Sequence, residues 1–150
     1  MKESMKTRFM RYRFNFFPAY RRSGGRITFI SSDLKRVKVE LPLNWKTKNI
    51  VGTIYGGCMY GAIDPIYMVM FLKNLGPEYI VWDKSAKIDF KHPGRDLLTA
   101  EFNITNDQVD GIKKELETNR STTRDFLIEL LDKKQKVSAR IEKTLYFQKR

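Results

Sequence analysis

The sequence predicts an α+β domain in which a mostly antiparallel sheet wraps around one long apolar helix. Several segments alternate apolar and polar residues at period two between turn residues, which is typical of strands with one buried face. The run from Ile54 to Leu72 is apolar on nearly every side, and a helix of this kind requires burial. The length of 150 residues and the hydrophobic content of 41% suit a single domain over residues 1–150.

The elements follow one another between clear turn residues. A basic and aromatic helix over residues 1–22, interrupted by Pro18, is expected to pack on the domain. A short surface helix capped by Asn106 connects the fourth strand to the fifth. The predicted strands cover residues 26–31, 34–41, 82–90, 98–105, 123–131 and 136–147.

Two strands have apolar rows that define their buried faces. The expected row of the third strand consists of Trp82, Ala86, Ile88 and Phe90. The expected row of the sixth strand consists of Val137, Ala139, Ile141, Leu145 and Phe147.

Asp64 is the only acidic residue in the long apolar run. Because Asp followed by Pro is a good N-cap and first-turn pair, the sequence alone favours a helix that begins at Asp64. If the helix instead begins near Gly57, Pro65 lies inside it, removes the hydrogen bond to the Gly61 carbonyl and predicts a kink. A buried Asp64 would then need a compensating partner.

The charge of the chain is concentrated at its ends. Lys and Arg number 29 against 17 Asp and Glu, and most of the excess lies in residues 1–26 and 133–150. Such a basic patch could attract nucleic acid, an anionic membrane or coenzyme A phosphates. Two solvated basic ends are the alternative, and no specific nucleic-acid motif is visible.

Cysteine and histidine usage excludes some classes of site. With Cys58 and His92 as the only residues of their types, neither an intrachain disulfide nor a Cys/His zinc cage can form. We interpret Cys58 as a packing residue. Without a secretion signal, and with Asp64 and Pro65 inside the apolar run, we expect a cytoplasmic protein that has no transmembrane segment.

The pair Gly56-Gly57 precedes the apolar helix. Unpaired N–H groups in a first helical turn can stabilise a developing oxyanion, and glycine lets a ligand approach the backbone. A tight turn with close packing explains the same pair without any ligand.

These residues carry a resemblance to a known superfamily. The spacing of Asn49, Tyr55-Gly56-Gly57 and Asp64 resembles the Asn…His-Gly-Gly…Asp motif of hotdog-fold acyl-CoA thioesterases of the phenylacetate-pathway type, with Tyr55 in place of histidine. The resemblance covers residues 14 to 148 approximately. It is closest to an uncharacterised bacterial branch, a domain of unknown function, through segments Val51–Thr53, Tyr60, Asp64–Pro65, Val81–Lys84 and Pro93–Arg95.

The resemblance implies a hotdog fold, in which five or six antiparallel strands wrap a central helix, and a homodimer or dimer of dimers. Acyl-CoA, or a related thioester, would lie across the subunit interface, with coenzyme A as part of the substrate and no other cofactor. Gly57 would donate its N–H to the thioester carbonyl, with Gly56 beside it. Asp64 would be the nucleophile or the general base for water, oriented by Asn49 of the other chain.

Tyr55 is the departure from the motif. A phenol donates a hydrogen bond but does not readily carry a proton at neutral pH. Lys91, His92 and Arg95 are candidate partners for coenzyme A phosphates, whereas a solvated turn is the plainer interpretation.

Three functions therefore follow from the sequence. The first is an acyl-CoA thioesterase, and the second is a non-catalytic acyl-CoA or acyl-ligand binding protein of the same fold. The third is a nucleic-acid or anionic-membrane binder that acts through the basic termini.

Overall fold

The computed structural model describes residues 2–150, which form one antiparallel sheet and five helices. The strands are Arg26–Ile30 (β1), Arg36–Leu41 (β2), Tyr79–Phe90 (β3), Leu98–Asn103 (β4), Ser121–Leu131 (β5) and Val137–Lys149 (β6). The helices are Met5–Phe16 (α1), Pro18–Arg22 (α2), Gly56–Ile63 (α3), Ile66–Leu75 (α4) and Asn106–Thr118 (α5). The strand order is β1-β2-β4-β5-β6-β3, and every neighbouring pair is antiparallel. The predicted α+β class with a six-stranded antiparallel sheet is confirmed.

The core lies between the sheet and α4. The ring of Phe71 lies 5.1 Å from that of Phe126 on β5 and 5.2 Å from that of Phe147 on β6. Tyr67 meets Phe102 of β4 at 5.0 Å. Since large apolar side chains are the main source of folding free energy, this contact explains why the apolar run folds against the sheet.

The central helix begins at Gly56, with Tyr55 as its N-cap, and Asp64 lies at the C-terminal end of α3. The expectation that Asp64 is the N-cap is therefore wrong. The physical reason is that Ala62 and Ile63, just before Asp64, are completely buried in the helix. The free energy of burying these side chains outweighs the local preference for a cap at Asp64.

The conditional prediction of a kink at Pro65 is confirmed. Because Pro65 has no N–H to donate to the Gly61 carbonyl, the helical run is divided into α3 and α4 at residues 64 and 65.

The apolar row of β3 differs from the sequence expectation. Asp83 pairs with Leu145 and Ser85 with Thr144, so Lys84 is an extra residue in a β-bulge. The bulge reverses the alternation and places Asp83, not Trp82, on the face shared by Ala86, Ile88 and Phe90. Trp82 is accordingly 63% exposed.

The N-terminal helices are fixed to the rest of the fold by polar contacts. Asn15 of α1 exchanges two hydrogen bonds with the backbone of Ile27 on β1, at 2.8 and 2.9 Å. The hydroxyl of Tyr20 donates to the carbonyl of Ala62 on α3 at 3.0 Å. Both helices therefore have defined positions on the sheet and on the central helix.

Two smaller findings complete the fold. The N-cap of α5 is Thr105, one residue before the predicted Asn106, and it forms a capping box with Gln108. Among residues 2–150, no helix has the length and apolar character needed to cross a bilayer.

Candidate functional site

Asp64 lies against a buried lysine. Lys143 of β6 is 1% exposed, and its Nζ lies 2.7 Å from Oδ1 of Asp64 and 3.0 Å from Oδ1 of Asp83. The same ammonium donates a hydrogen bond to the carbonyl oxygen of Asp64. Its three N–H donors therefore meet three acceptors. The buried charge is thus that of Lys143, and Asp64, whose side chain is only partly buried, is one of its two carboxylate partners.

The break in the central helix makes this arrangement possible. In a continuous helix, the Asp64 carbonyl would accept a hydrogen bond from the N–H of Met68. The first bond of α4 instead runs from Val69 N to the carbonyl of Pro65, at 3.1 Å. The Asp64 carbonyl is thereby available to Lys143.

The surroundings of Lys143 also affect the protonation of two neighbours. Burial raises the pKa of Asp83, and the hydrogen bond from Lys143 opposes that shift. Burial and, secondarily, contact with Asp64 raise the pKa of Tyr60, so its phenol stays protonated. The ring of Tyr60 lies 5.5 Å from Nζ of Lys143, within the range of a cation–π contact.

Lys143 was missed by the sequence analysis. It occupies the position between Ile141 and Leu145 in the apolar row of β6, where a single lysine interrupts a period-two pattern. A charged residue at a buried position of a strand needs a partner of opposite charge, and that interruption was the available signal.

Two aromatic rings enclose the diglycine. A Cβ on Gly56 would lie 2.8 Å from the ring of Phe90, and one on Gly57 would lie 2.4 Å from the ring of Tyr55. A side chain at either glycine would therefore have to displace one of these rings, both of which are 58% exposed. The N–H groups of Gly56 and Gly57 form no hydrogen bond with another residue in the range 2–150. These free donors and the positive end of the α3 dipole suit an oxyanion.

Asn49 is engaged within its own loop. Its side-chain oxygen accepts hydrogen bonds from the N–H groups of Val51 and Thr53, at 3.1 and 3.0 Å. Its amide nitrogen donates to the hydroxyl of Thr53 at 2.9 Å. Asn49 thus shapes the loop that leads into α3, and its role toward Asp64 of another chain stays a prediction.

The turn after β3 lies beside this loop. Ile54 donates its N–H to the carbonyl of Gly94 at 2.8 Å. As a result Lys91 and His92 line a cleft of about 360 Å³ together with Asn49 and Gly56. Arg95 is exposed and does not line this cleft. Binding of coenzyme A phosphates by these three residues stays a prediction.

Asp64 lines a different space, a groove of about 900 Å³ between the N-terminal helices and the central helix. Gly57 and Asp64 are seven residues apart on one helix, which corresponds to about 10 Å along its axis. The structure therefore places the predicted site residues in two groups, one around the diglycine and one around Asp64, and does not bring them together within one chain.

Cys58 packs partly buried against the core. Burial raises the pKa of its thiol, which disfavours the reactive thiolate and agrees with a packing role. Within residues 2–150, no group of three or more His, Cys, Asp or Glu side chains is arranged to hold a metal ion.

Comparison with known proteins identifies the family. Residues 6–147 match the family model described as a domain of unknown function, DUF4442. No functionally curated protein matches this chain. A Pseudomonas aeruginosa protein of unknown function, described as a probable thioesterase, superposes with a TM-score of 0.87 over 99% of both chains at 16% identity. A Chlorobaculum tepidum protein of unknown function gives 0.76 over 97% of this chain and 95% of its own, at 11% identity.

A thioesterase from Haemophilus influenzae superposes with a TM-score of 0.70 over 99% of this chain and 93% of its own, at 13% identity. At such identities the structural likeness establishes the fold, and the match over residues 6–147 establishes the family. The chain therefore belongs to the DUF4442 family, a domain of unknown function, and has the hotdog fold of these solved structures.

Proposed function

We propose that the protein is an acyl-CoA thioesterase whose active site forms between two copies of the chain. Asp64 of one copy activates a water molecule, and the N–H of Gly57 in the other copy holds the thioester carbonyl oxygen. The proposal rests mainly on Asp64, a carboxylate that a buried ammonium fixes at the wall of a groove while its side chain remains 37% exposed.

The separation between Asp64 and Gly57 supports a shared site. An oxyanion donor works at about 2.7–3.1 Å from the oxygen that it stabilises, and a general base must lie within hydrogen-bond reach of the attacking water. About 10 Å of helix separates the two groups in one chain, so one small reacting centre cannot contact both. A second copy can supply the missing group.

The chemistry is the hydrolysis of a thioester. Asp64 takes a proton from water as the water oxygen attacks the carbonyl carbon, and the Gly57 N–H stabilises the negative charge that develops on the carbonyl oxygen. The intermediate then collapses, the C–S bond breaks, and the coenzyme A thiolate receives the proton from Asp64. The products are a carboxylic acid and free coenzyme A. Lys143 fixes the carboxylate of Asp64 through this cycle and does not touch the reacting atoms.

The test is a free-thiol release assay with short-chain, long-chain and aromatic acyl-CoAs. We expect Asp64→Asn to lower turnover by about 10²-fold or more, because general-base assistance is lost. Asp83→Asn is a matched control, because Asp83 contacts the same ammonium at 3.0 Å from the other side. It should retain most of the turnover. Equal turnover of wild type and Asp64→Asn, with both folded, would exclude the proposed role of Asp64.

Tyr55 favours a second candidate, the binding of acyl-CoA without hydrolysis. Its phenol stands where the thioesterase motif that this sequence resembles has histidine, and its ring covers Gly57. This candidate predicts saturable binding of acyl-CoA and no thiol release from any thioester of the panel. If the phenol is the cause, Tyr55→His should introduce thiol release that the wild type lacks.

The distribution of the basic residues gives less support to a polyanion binder. In the C-terminal segment Lys143 is buried, and Arg140 pairs with Glu129 at 2.7 Å. Three strands also separate β1, on which α1 packs, from β6. The two basic ends therefore do not combine into one patch. A nucleic-acid or anionic-membrane function would use one end, and removing the charges of that end should abolish a strongly salt-dependent affinity.

A further inference from the structure

The side of helix α1 that faces away from the sheet carries a row of apolar side chains. With about 3.6 residues per turn, positions 5, 9, 12 and 16 fall within an arc of about 60° around the helix. These positions hold exposed side chains, namely Met5, Phe9, Tyr12 and Phe16. The opposite side attaches the helix, since Thr7 is buried and Asn15 is bonded to the backbone of Ile27. An exposed apolar stripe of this kind is typical of an interaction surface.

The stripe continues beyond the end of α1. Phe16 also lines an open cleft of about 710 Å³ together with Trp45, which is 82% exposed. Arg21, Arg22 and Lys46 line the same cleft, and no acidic residue lines it. The cleft therefore joins the apolar stripe to an exposed indole ring and to three cations.

Positive charge surrounds these apolar side chains. The exposed cations are Lys6, Arg8, Arg13, Arg21, Arg22 and Lys46. None of them forms an ion pair with an acidic residue among residues 2–150. Glu3, the only acidic residue before Asp33 in the sequence, is paired with Arg11. The stripe, Trp45 and these cations, which we call the α1 surface, therefore favour an anionic partner.

The aromatic rings and the cations of the α1 surface lie side by side. The guanidinium carbon of Arg21 is 5.8 Å from the centre of the Phe16 ring, and the ammonium nitrogen of Lys46 is 5.1 Å from the ring centre of Trp45. Stacking of nucleic-acid bases requires free ring faces, and here a cation already lies over each ring. In a bilayer interface no stacking is needed, because aromatic rings lie at the depth of the headgroups and cations contact the lipid phosphates. The arrangement therefore favours a lipid surface over a nucleic acid.

A second copy of the chain does not complement the α1 surface. Contact between two such surfaces would bring cations against cations, in a chain whose net charge is +12. An anionic bilayer supplies both missing parts, since its phosphates neutralise the cations and its interface accepts the apolar stripe.

We propose that the α1 surface docks the protein on anionic lipid bilayers. The helix lies in the plane of the interface, Phe16 and Trp45 enter it, and the surrounding cations contact lipid phosphates. Such docking is peripheral and goes beyond the proposed thioesterase function. It is also independent of that function, because neither Phe16 nor Trp45 lines the groove of Asp64 or the cleft of the diglycine.

Co-sedimentation of the full chain with lipid vesicles tests the apolar part of the surface. Vesicles with equal parts of phosphatidylcholine and phosphatidylglycerol should bind the protein about tenfold or more tightly than vesicles of phosphatidylcholine alone. The double change Phe16→Ser and Trp45→Ser should weaken binding by about tenfold or more, because two rings no longer enter the interface. The matched control is Trp82→Ser with Leu127→Ser, two exposed apolar residues of the sheet, which should bind like the wild type. Equal binding by both double variants would overturn the inference.

The cations are tested by the double change Arg21→Ala and Arg22→Ala. We expect a loss of about fivefold in affinity for each charge removed near the anionic surface. Lys114→Ala with Lys134→Ala removes the same charge at exposed positions outside the α1 surface and should change the affinity little. Equal losses in the two variants would overturn the inference, because net charge alone would then account for the attraction.

Tryptophan fluorescence reports which side of the protein meets the lipid. Trp45 and Trp82 are the only tryptophans. With Trp82→Phe, the emission of Trp45 should shift to shorter wavelength on anionic vesicles, because the indole enters the interface. With Trp45→Phe, the emission of Trp82 should stay unchanged. A shift of Trp82 without a shift of Trp45 would contradict docking through α1.

Two further outcomes would assign the α1 surface to another partner and overturn the inference. The first is binding to single-stranded DNA that is tighter than binding to anionic vesicles at the same salt concentration and is lost in the variant with Phe16→Ser and Trp45→Ser. The second is a smaller oligomer of that variant in lipid-free sedimentation, combined with unchanged vesicle binding, which would indicate a second copy of the chain.

Discussion

The ammonium of Lys143 connects two distant parts of the chain, the junction of α3 with α4 through Asp64 and the bulge of β3 through Asp83. One cation serves two carboxylates in a space where Lys143 has no exposed side-chain surface. The position of Asp64 therefore depends on a residue 79 positions away in the sequence.

Replacing Lys143 should be costly for stability. Lys143→Met leaves two neighbouring carboxylates without a counter-charge. Loss of one partner from a fully buried ion pair typically costs about 3 to 5 kcal/mol, and we expect a smaller loss here because the Asp64 and Asp83 side chains are 37% and 25% exposed. Urea unfolding measures this loss. Lys133→Met is the control, since Lys133 pairs with Asp96 at 2.8 Å on the surface, and it should not change the midpoint measurably. If Lys143→Met and Lys133→Met shift the urea midpoint equally little, the structural role of Lys143 is contradicted.

Among the secondary-structure elements, the kinked central helix has the clearest link to the site. Pro65→Ala restores an N–H that can bond to the Gly61 carbonyl, and a straighter helix would direct the Asp64 carbonyl away from Lys143. We expect a loss of thioester turnover of about tenfold or more, because small displacements of a reacting group are costly. Thermal stability receives two opposing contributions, since the helix penalty of proline is removed and Lys143 loses one hydrogen-bond acceptor. A Pro65→Ala protein with full turnover would show that the kink is irrelevant to the site.

Helix α1 is attached to β1 through Glu3. Its carboxylate accepts hydrogen bonds from Nε of Arg11 at 2.8 Å and from the N–H of Ile30 at 3.3 Å. The contact with Arg11, followed by that with Ile30, lowers the pKa of Glu3. The folded-state pKa lies below the unfolded value of 4.5, so this stabilisation is fully present above pH 4.5 and is lost as the pH falls through the lowered pKa.

Glu3→Gln should therefore destabilise the protein by about 1 to 2 kcal/mol at pH 7, and the difference from wild type should disappear in acid. Denaturant unfolding at a series of pH values measures both effects. Glu117→Gln, at an exposed position of α5, should change neither the free energy of unfolding at pH 7 nor its dependence on pH. If the free energy of unfolding of Glu3→Gln stays equally far below that of the wild type at low pH, the ionic attachment of α1 is contradicted.

The elements also show which features a sequence can predict. The strands were predicted because their alternation is a local pattern, as in β4 and β6. The start of the central helix was not predicted correctly, because burial of Ala62 and Ile63 outweighs a good local cap at Asp64. The bulge at Lys84 depends on the register between β3 and β6, and the contact of Lys143 with Asp64 depends on how the central helix packs on β6. No single segment encodes either feature.

At the scale of the whole molecule, the candidate site consists of two half-sites. The diglycine cleft with Asn49, Lys91 and His92 is one, and the groove with Asp64 is the other. The motif spacing predicted the residues of both, but only the geometry shows that about 10 Å of helix separates Gly57 from Asp64. In the active site that we propose, the two groups come from different copies of the chain.

Mixing two inactive variants tests this central claim most directly. Asp64→Asn removes the base, and Gly57→Pro removes one N–H in the first turn of α3, where proline is tolerated once the 58% exposed ring of Tyr55 moves aside. In a shared site, a mixed dimer contains one intact pair of Asp64 and Gly57, so an equal mixture after subunit exchange should recover about one quarter of wild-type thiol release. If each chain instead contains its own complete site, both chains of every mixed dimer are defective and the mixture will show no recovery.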